Sequence, residues 1–171
     1  MPQGNREIYL IACIAQNGGI GKGKELLFYI KEDMERFRQL TIGNTIIMGR
    51  KTYDSLPHGA LPDRHNIVIS TQNLQLKDCW TCHSLEDAIK LAERFNEKIF
   101  IIGGASIYKQ AIALASRLYL TKVEKNRQGT NIFFPNIHLE DWEIKEKTSL
   151  KCIDKKQNEL LELSFITLEK K

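Results

Sequence analysis

Short runs of branched apolar residues, each ended by a glycine or a polar turn and followed by a helix-forming segment, constrain this chain most strongly. Ile8 to Ala15 is almost continuously apolar, as a strand covered on both faces must be. Thr45 to Met48, Ile67 to Ser70 and Ile99 to Ile102 repeat the pattern, the last ending at Gly103 and Gly104. Between these runs, Ile30 to Leu40, Leu85 to Phe95 and a shorter piece after Gly104 read as helices. Such alternation predicts a mainly parallel sheet with helices on both faces. Past Tyr119 the rhythm changes. Trp142 to Thr148 and Leu160 to Leu168 are separated only by the polar stretch Lys151 to Asn158, which predicts a closing antiparallel hairpin. The expected fold class is α/β: a single domain over residues 1–171, with a mixed, mainly parallel central sheet, flanking helices and a C-terminal antiparallel hairpin. Ligands of open sheets bind beyond the carboxyl ends of the strands, so residues just after each strand are the candidates for function.

Composition narrows the classes. A chain of 171 residues suits one domain with a substantial core. No apolar run approaches the ~18–20 residues of a membrane helix, and Met1 to Glu7 has no signal-peptide pattern. Four scattered cysteines are too few for a stapled secreted fold and point to a reducing cytoplasm. The net charge of +4, from 25 Lys+Arg against 21 Asp+Glu, is too small and interspersed to imply nucleic-acid binding, but it suits a small anionic ligand.

One charge is out of place. On a wheel of Ile30 to Leu40 at ~100° per residue, Ile30, Met34, Phe37 and Leu40 share an arc, and Asp33 falls inside it. Lys31, Glu32, Glu35, Arg36 and Arg38 fall outside. A carboxylate among core-facing residues is costly unless it is paired or used. Two readings stand. Asp33 either bonds backbone N–H groups of the first helical turn, or lines an apolar pocket and grips a flat, amidine-like group with two hydrogen bonds.

The glycines divide into a decoy and two candidates. Gly18 to Lys24 contains the Gly-x-x-x-x-Gly-Lys half of a phosphate loop, but Glu25 stands where a magnesium-binding hydroxyl belongs, so a glycine-rich flap is the better reading. Gly103-Gly104 before Ala105-Ser106-Ile107-Tyr108 would let a pyrophosphate approach the backbone at a helix start. Gly49-Arg50-Lys51-Thr52 puts two cations and a hydroxyl at a second strand end. Together the junctions suggest a dinucleotide carrying extra phosphate. Cys79-Trp80-Thr81-Cys82 precedes its helix instead of opening it, and no second pair completes a zinc site, so it reads as structural. His58, His65, His83 and His138 show no base partner or metal spacing and read as surface or loop residues; no metal is expected.

In order and over almost its whole length, the chain resembles the dihydrofolate reductases. The resemblance is carried by Ile11-Ala12-Cys13-Ile14-Ala15 with Gly19-Ile20-Gly21, by Phe28-Tyr29-Ile30-Lys31-Glu32-Asp33-Met34 with Phe37, and by Ile46-Ile47-Met48-Gly49-Arg50-Lys51-Thr52-Tyr53. Leu61-Pro62-Asp63-Arg64-His65-Asn66-Ile67-Val68-Ile69-Ser70, Ile101-Ile102-Gly103-Gly104-Ala105-Ser106-Ile107-Tyr108 and Leu118-Tyr119-Leu120-Thr121 complete it.

The resemblance implies reduction of 7,8-dihydrofolate by NADPH, with hydride passing to pterin C6 and a proton to N5. It gives Asp33, Thr121 and Phe28 the catalytic positions, with Asp33 on the 2-amino group and ring nitrogens. Ile11, Cys13, Leu26, Phe37, Leu56 and Leu61 would wall the substrate, and Arg64 would take its α-carboxylate as a bidentate partner. Cofactor binding would fall to Cys13, Ile20 and Gly21 near the nicotinamide, and to Gly103, Gly104 and the flanking Ile102 and Ala105 to Tyr108 at the pyrophosphate. Gly49 to Thr52, Ser70 and Thr71 would serve the adenosine 2′-phosphate region. The implied protein is a cytoplasmic monomer that binds antifolate inhibitors, not nucleic acid or membranes. Two positions depart from the family: Phe28 stands where a Trp is usual, and Ile30-Lys31 where Leu-Pro is usual, which puts the ordered-water network at the acid and the rigidity of the helix start in question. A pyrimidine reductase of riboflavin synthesis would have no use for Asp33 with Arg64, whereas a non-catalytic folate-binding relative differs only in turnover.

Overall fold

The computed structural model describes residues 7–171, so apart from Glu7 the reading made for Met1 to Glu7 lies outside the described residues. In chain order the elements are β1 (Ile8–Ile14), β2 (Gly19–Lys22), β3 (Glu25–Leu26), α1 (Lys31–Thr41), β4 (Thr45–Gly49), α2 (Arg50–Ser55), β5 (His65–Ile69) and β6 (Cys79–Cys82). They continue with α3 (Leu85–Glu93), β7 (Ile99–Ile101), α4 (Ala105–Ala111), β8 (Arg117–Val123), β9 (Ile132–Phe133), β10 (Trp142–Asp154) and β11 (Glu159–Lys170). Contacts divide the chain into two units, Met1–Leu10 with Thr41–Ala115 and Ile11–Leu40 with Ser116–Lys171, so β1 runs from the first into the second.

In the first unit the strand order is β1-β7-β4-β5-β6, and every pairing is parallel. Ile46, Ile47, Met48, Ile67, Val68, Ile99 and Ile101 are fully buried, which is why these strands read as unbroken apolar runs. Each such side chain contributes about 1.5–3 kcal/mol of hydrophobic stabilisation. Helix α3 buries Leu85, Ala88, Ile89 and Ala92 along one stripe, and the Ser84 hydroxyl oxygen accepts the Asp87 amide at 3.1 Å to cap it.

The second unit runs β10-β11-β8-β1, with β10–β11 and β11–β8 antiparallel, and adds a small sheet in the order β3-β2-β9. Its core packs Leu27, Phe28 and Ile30 against Val123, Cys152, Leu161 and Leu163. The C-terminal hairpin is longer than its apolar residues alone suggest. Lys151, Cys152 and Ile153 belong to β10, because an edge strand buries only alternate residues, here Cys152 and Asp154. The turn is confined to Lys155 to Asn158, where Asn158 takes φ 50°. The glycine-rich segment Gly18 to Lys24 forms the β2–β3 hairpin with no helix behind it, so it cannot be a phosphate loop. No helix among the described residues is long and apolar enough to cross a membrane.

His65 corrects the reading of the histidines as lone surface or loop residues. It sits on β5 with Nδ1 2.5 Å from Glu97 Oε1, and its ring stacks on Phe95 at 4.0 Å. The partner lies 32 residues away and is brought near only by the parallel pairing of β4, β5 and β7. Cys79 and Cys82 lie on β6, extended, and all four cysteines are free thiols.

Fully buried Asn66 ties down the loop before β5. Its Oδ1 accepts the Leu61 amide at 2.9 Å, and its Nδ2 donates to the carbonyls of Leu61 (2.8 Å) and Arg64 (3.0 Å). Replacing it strands three backbone groups, so Asn66→Leu is expected to lose about 1–3 kcal/mol of stability, read as a lower urea midpoint with unchanged slope.

Candidate active site

In the second unit, α1 carries Asp33 at the centre of its inward face. Glu32, Asp33, Arg36, Phe37 and Leu40 are half-buried, while Met34, expected on the same arc, is 63 % exposed. The face is thus rotated toward the acid, leaving Met34 just past its edge. Arg36, expected outside the apolar arc, is likewise turned inward.

Asp33 meets β8 and β1. Thr121, 1 % exposed, donates its hydroxyl hydrogen to Asp33 Oδ1 at 2.5 Å, across 88 residues of sequence. The Cys13 thiol hydrogen-bonds the same carboxylate. Burial lifts the Asp33 carboxyl above the usual range; the Thr121 bond, the Arg36 cation and the Cys13 bond pull it partly back. Burial, followed by the charge of Asp33, pushes the Cys13 thiol well above its own ordinary range, so it stays protonated and acts as a donor. Of the two readings left open for Asp33, the side-chain partners on facing strands favour a carboxylate held for use over a helix-start cap.

Ile11 and Phe28 are buried, Cys13 and Phe37 half-buried. Phe28 packs in the core with the Arg127 guanidinium 4.9 Å above its ring, so this position offers Asp33 no donor. Arg127, which the sequence reading missed, also donates to the Leu27 carbonyl and pairs with Asp154 at 3.0 Å and Glu159 at 2.7 Å. Ile20 and Gly21 lie on β2, with Gly21 buried, whereas Leu26 on β3 is 60 % exposed and is not brought to the acid.

The first unit brings the two glycine junctions side by side. The Gly49 amide donates to the Gly103 carbonyl at 2.8 Å, and the Gly103–Gly104 peptide is cis. Gly103 holds φ 129°, and a Cβ there would stand 3.1 Å from Thr52 Oγ1; one on Gly49 would stand 3.3 Å from Ile107 Cγ1. Glycines at these points keep side chains off the backbone. Gly49 and Gly104 cap α2 and α4, and because glycine has no side chain to accept the first-turn amides, those donors suit phosphate oxygens.

Of the other expected residues, Ser70, Thr71 and Ile102 follow β5 and β7 at the same strand ends as Gly49, whereas Arg64 precedes β5 at the opposite ends. Arg50 Nε bonds Asp54 Oδ1 at 2.8 Å, while Lys51 and Thr71 are exposed. Ser70 Oγ accepts the Gln72 amide, the half-buried Ile102 donates its amide to Ile47, Tyr108 is buried, and exposed Ser106 bonds Gln110. Ala105 is half-buried at the start of α4. Leu56 and Leu61 are half-buried, and Arg64 is held by the Pro62 carbonyl (2.9 Å) and Thr41 Oγ1 (3.0 Å).

A family model described as dihydrofolate reductase matches residues 7–170 and runs through both units. The dihydrofolate reductase of Neisseria meningitidis serogroup A is 41 % identical over 150 residues, 87 % of this chain and 91 % of that protein. That of Staphylococcus haemolyticus is 37 % identical over 137 residues, 80 % of this chain and 81 % of its own. The solved dihydrofolate reductase from Enterococcus faecalis, complexed with NADP(H) and RAB-propyl, superposes with a TM-score of 0.85 at 27 % identity, covering 98 % of this chain and 97 % of that one. The chain belongs to the dihydrofolate reductase family, whose members are NADP-dependent oxidoreductases.

Proposed function

We propose that this chain reduces 7,8-dihydrofolate to 5,6,7,8-tetrahydrofolate with NADPH, and that Asp33 is the residue on which the reaction turns. The carrying observation is the carboxylate held by Thr121 and Cys13 on the inward face of α1, beside Phe37 and Leu40. A carboxylate so placed binds a 2-aminopyrimidine edge with two charge-assisted hydrogen bonds and raises the basicity of the ring system beyond it. The residues at the glycine junctions fit NADPH: two helix starts without side-chain caps take the pyrophosphate, and Arg50, Lys51, Thr52, Ser70 and Thr71 take the 2′-phosphate region. Bound NADPH supplies the hydride that adds to pterin C6.

Everything else falls to the chain. Asp33 holds and orients the pterin and favours a proton at N5. Thr121 fixes the carboxylate rotamer. Phe28, Ile11 and Phe37 exclude water without donating a hydrogen bond, so the proton comes from solvent and not from this wall. Arg64, oriented by Pro62 and Thr41, takes the substrate carboxylate. Leu56 and Leu61 wall the benzoyl part, and Ile20 and Gly21 stand at the nicotinamide. Four free thiols support a cytoplasmic setting, and we take the chain to act as a monomer.

Mixing the protein with NADPH and dihydrofolate is expected to give steady cofactor oxidation, blocked by 2,4-diaminopyrimidine antifolates; absence of turnover would leave only a folate-binding relative. Asp33→Asn is expected to lose about 100-fold or more in rate at pH 7 and to recover in acid, where solvent protonates the substrate, checked by a kcat/KM profile. The same variant tests linkage. Because the folded-state carboxyl lies above its ordinary value, the folded protein binds the proton more readily, and stability falls as pH rises through that window. Asp33→Asn should therefore melt higher than the parent at pH 7, with the two melting points converging below pH 4. Gly103→Ala, which forces a Cβ toward Thr52 at an unfavourable φ, should cost about 1–3 kcal/mol and raise the KM for NADPH more than that for dihydrofolate.

A further inference from the structure

Asp33 and Arg36 are three residues apart on α1 and so share its inward face. Tyr119 and Thr121 are two apart on β8 and share a sheet face, and Phe165 of β11 stands directly opposite Thr121 in the register. The helix thus meets the sheet in two matched contacts. Thr121 takes the acid, while Tyr119 and Phe165 take the cation, with the Arg36 guanidinium carbon 5.6 Å from the first ring centroid and 4.8 Å from the second. Tyr119 is itself fixed, its hydroxyl accepting Arg117 Nη1 at 2.9 Å, and Arg117 pairs with Glu169 at 3.5 Å.

We propose that Arg36 is a positioning residue for this reaction: a cation caged by two rings that sets the charge state of Asp33 and keeps α1 in register on β8 and β11. An arginine bonded to the carboxylate would occupy the oxygens the pterin needs. Held on ring faces, it lends its potential and leaves those oxygens to the ligand. The groups facing Asp33 are Thr121 from β8, Cys13 from β1 and, on α1, Arg36 and the adjacent Glu32; Cys152 of β10 feels the charges of Glu32 and Asp33, and Asp154 reaches Cys13. Those facing Arg36 are Asp33, Tyr119 and Glu146. Arg36 is the cation of this set, and its field lowers the Asp33 carboxyl against the burial that raises it.

The proposal deepens the pterin-binding reading of Asp33, and its test needs neither substrate nor turnover. The Asp33 carboxyl is titrated by carbon NMR in the ligand-free protein, with Asp33→Asn identifying the signal. Loss of a cation disfavours the charged form, so Arg36→Met should move the midpoint upward by about half to one pH unit. Arg36→Lys should restore most of the shift, and Phe165→Leu, which opens the cage but keeps the charge, should give part of it. A folded Arg36→Met whose midpoint stays within about 0.2 units of the parent overturns the proposal; should that variant not fold, a midpoint in Phe165→Leu that is unchanged from the parent does so. If the midpoints shift while Asp33→Asn keeps full activity, the field is real and it is the pterin reading that fails.

Discussion

The second unit is organised around keeping one carboxylate half out of water. Such a group in an apolar setting destabilises the fold unless neighbours compensate, and here the compensation comes from three directions: a buried hydroxyl on β8, a protonated thiol on β1 and a caged cation on the same helix. None neutralises the acid by direct ion pairing in the way that Arg127 neutralises fully buried Asp154. The contrast separates function from structure. Asp154 is paired and capped, accepting the amides of Lys156 and Gln157 as well as Arg127, and so has no chemistry left to do. Asp33 keeps a raised affinity for a proton, the condition a binding acid needs.

The first unit solves a different problem with different residues. On the proposed reading it binds a polyanion, which requires donors without bulk: β4 ends at Gly49, Gly103 and Gly104 follow just past β7, and two helices start from these turns. The strands behind these turns are among the most buried parts of the chain, so the turns are mounted on rigid elements. Phosphate recognition through backbone amides demands that rigidity, because amides have no rotamers with which to adapt.

Local pattern made much of this legible. The apolar runs at Ile8, Thr45, Ile67 and Ile99 appear as parallel strands, and the helix expected from Leu85 opens there as α3. Asp33 stood out because a charge on an apolar arc is anomalous whatever the fold. Less visible were features whose partners are remote. Arg36 read as a solvated charge, since nothing in its helix announces Tyr119 and Phe165 83 and 129 positions away. His65 read as solitary because Glu97 reaches it only through strand pairing. Arg127 gave no signal, as its roles at Phe28, Asp154 and Glu159 join segments far apart in the chain.

The sequence by itself determined the strand–helix alternation, the glycine turns and the presence of a misplaced acid, because periodicity, missing side chains and charge on an apolar stripe are all local properties. Only the tertiary structure decided how α1 is rotated, with Met34 outward and Arg36 inward, and what meets Asp33 there. A helix wheel fixes which residues share a face but not the angle at which that face docks. That angle is set by packing against Thr121, Tyr119 and Phe165, which reach α1 only after β8 and β11 have paired.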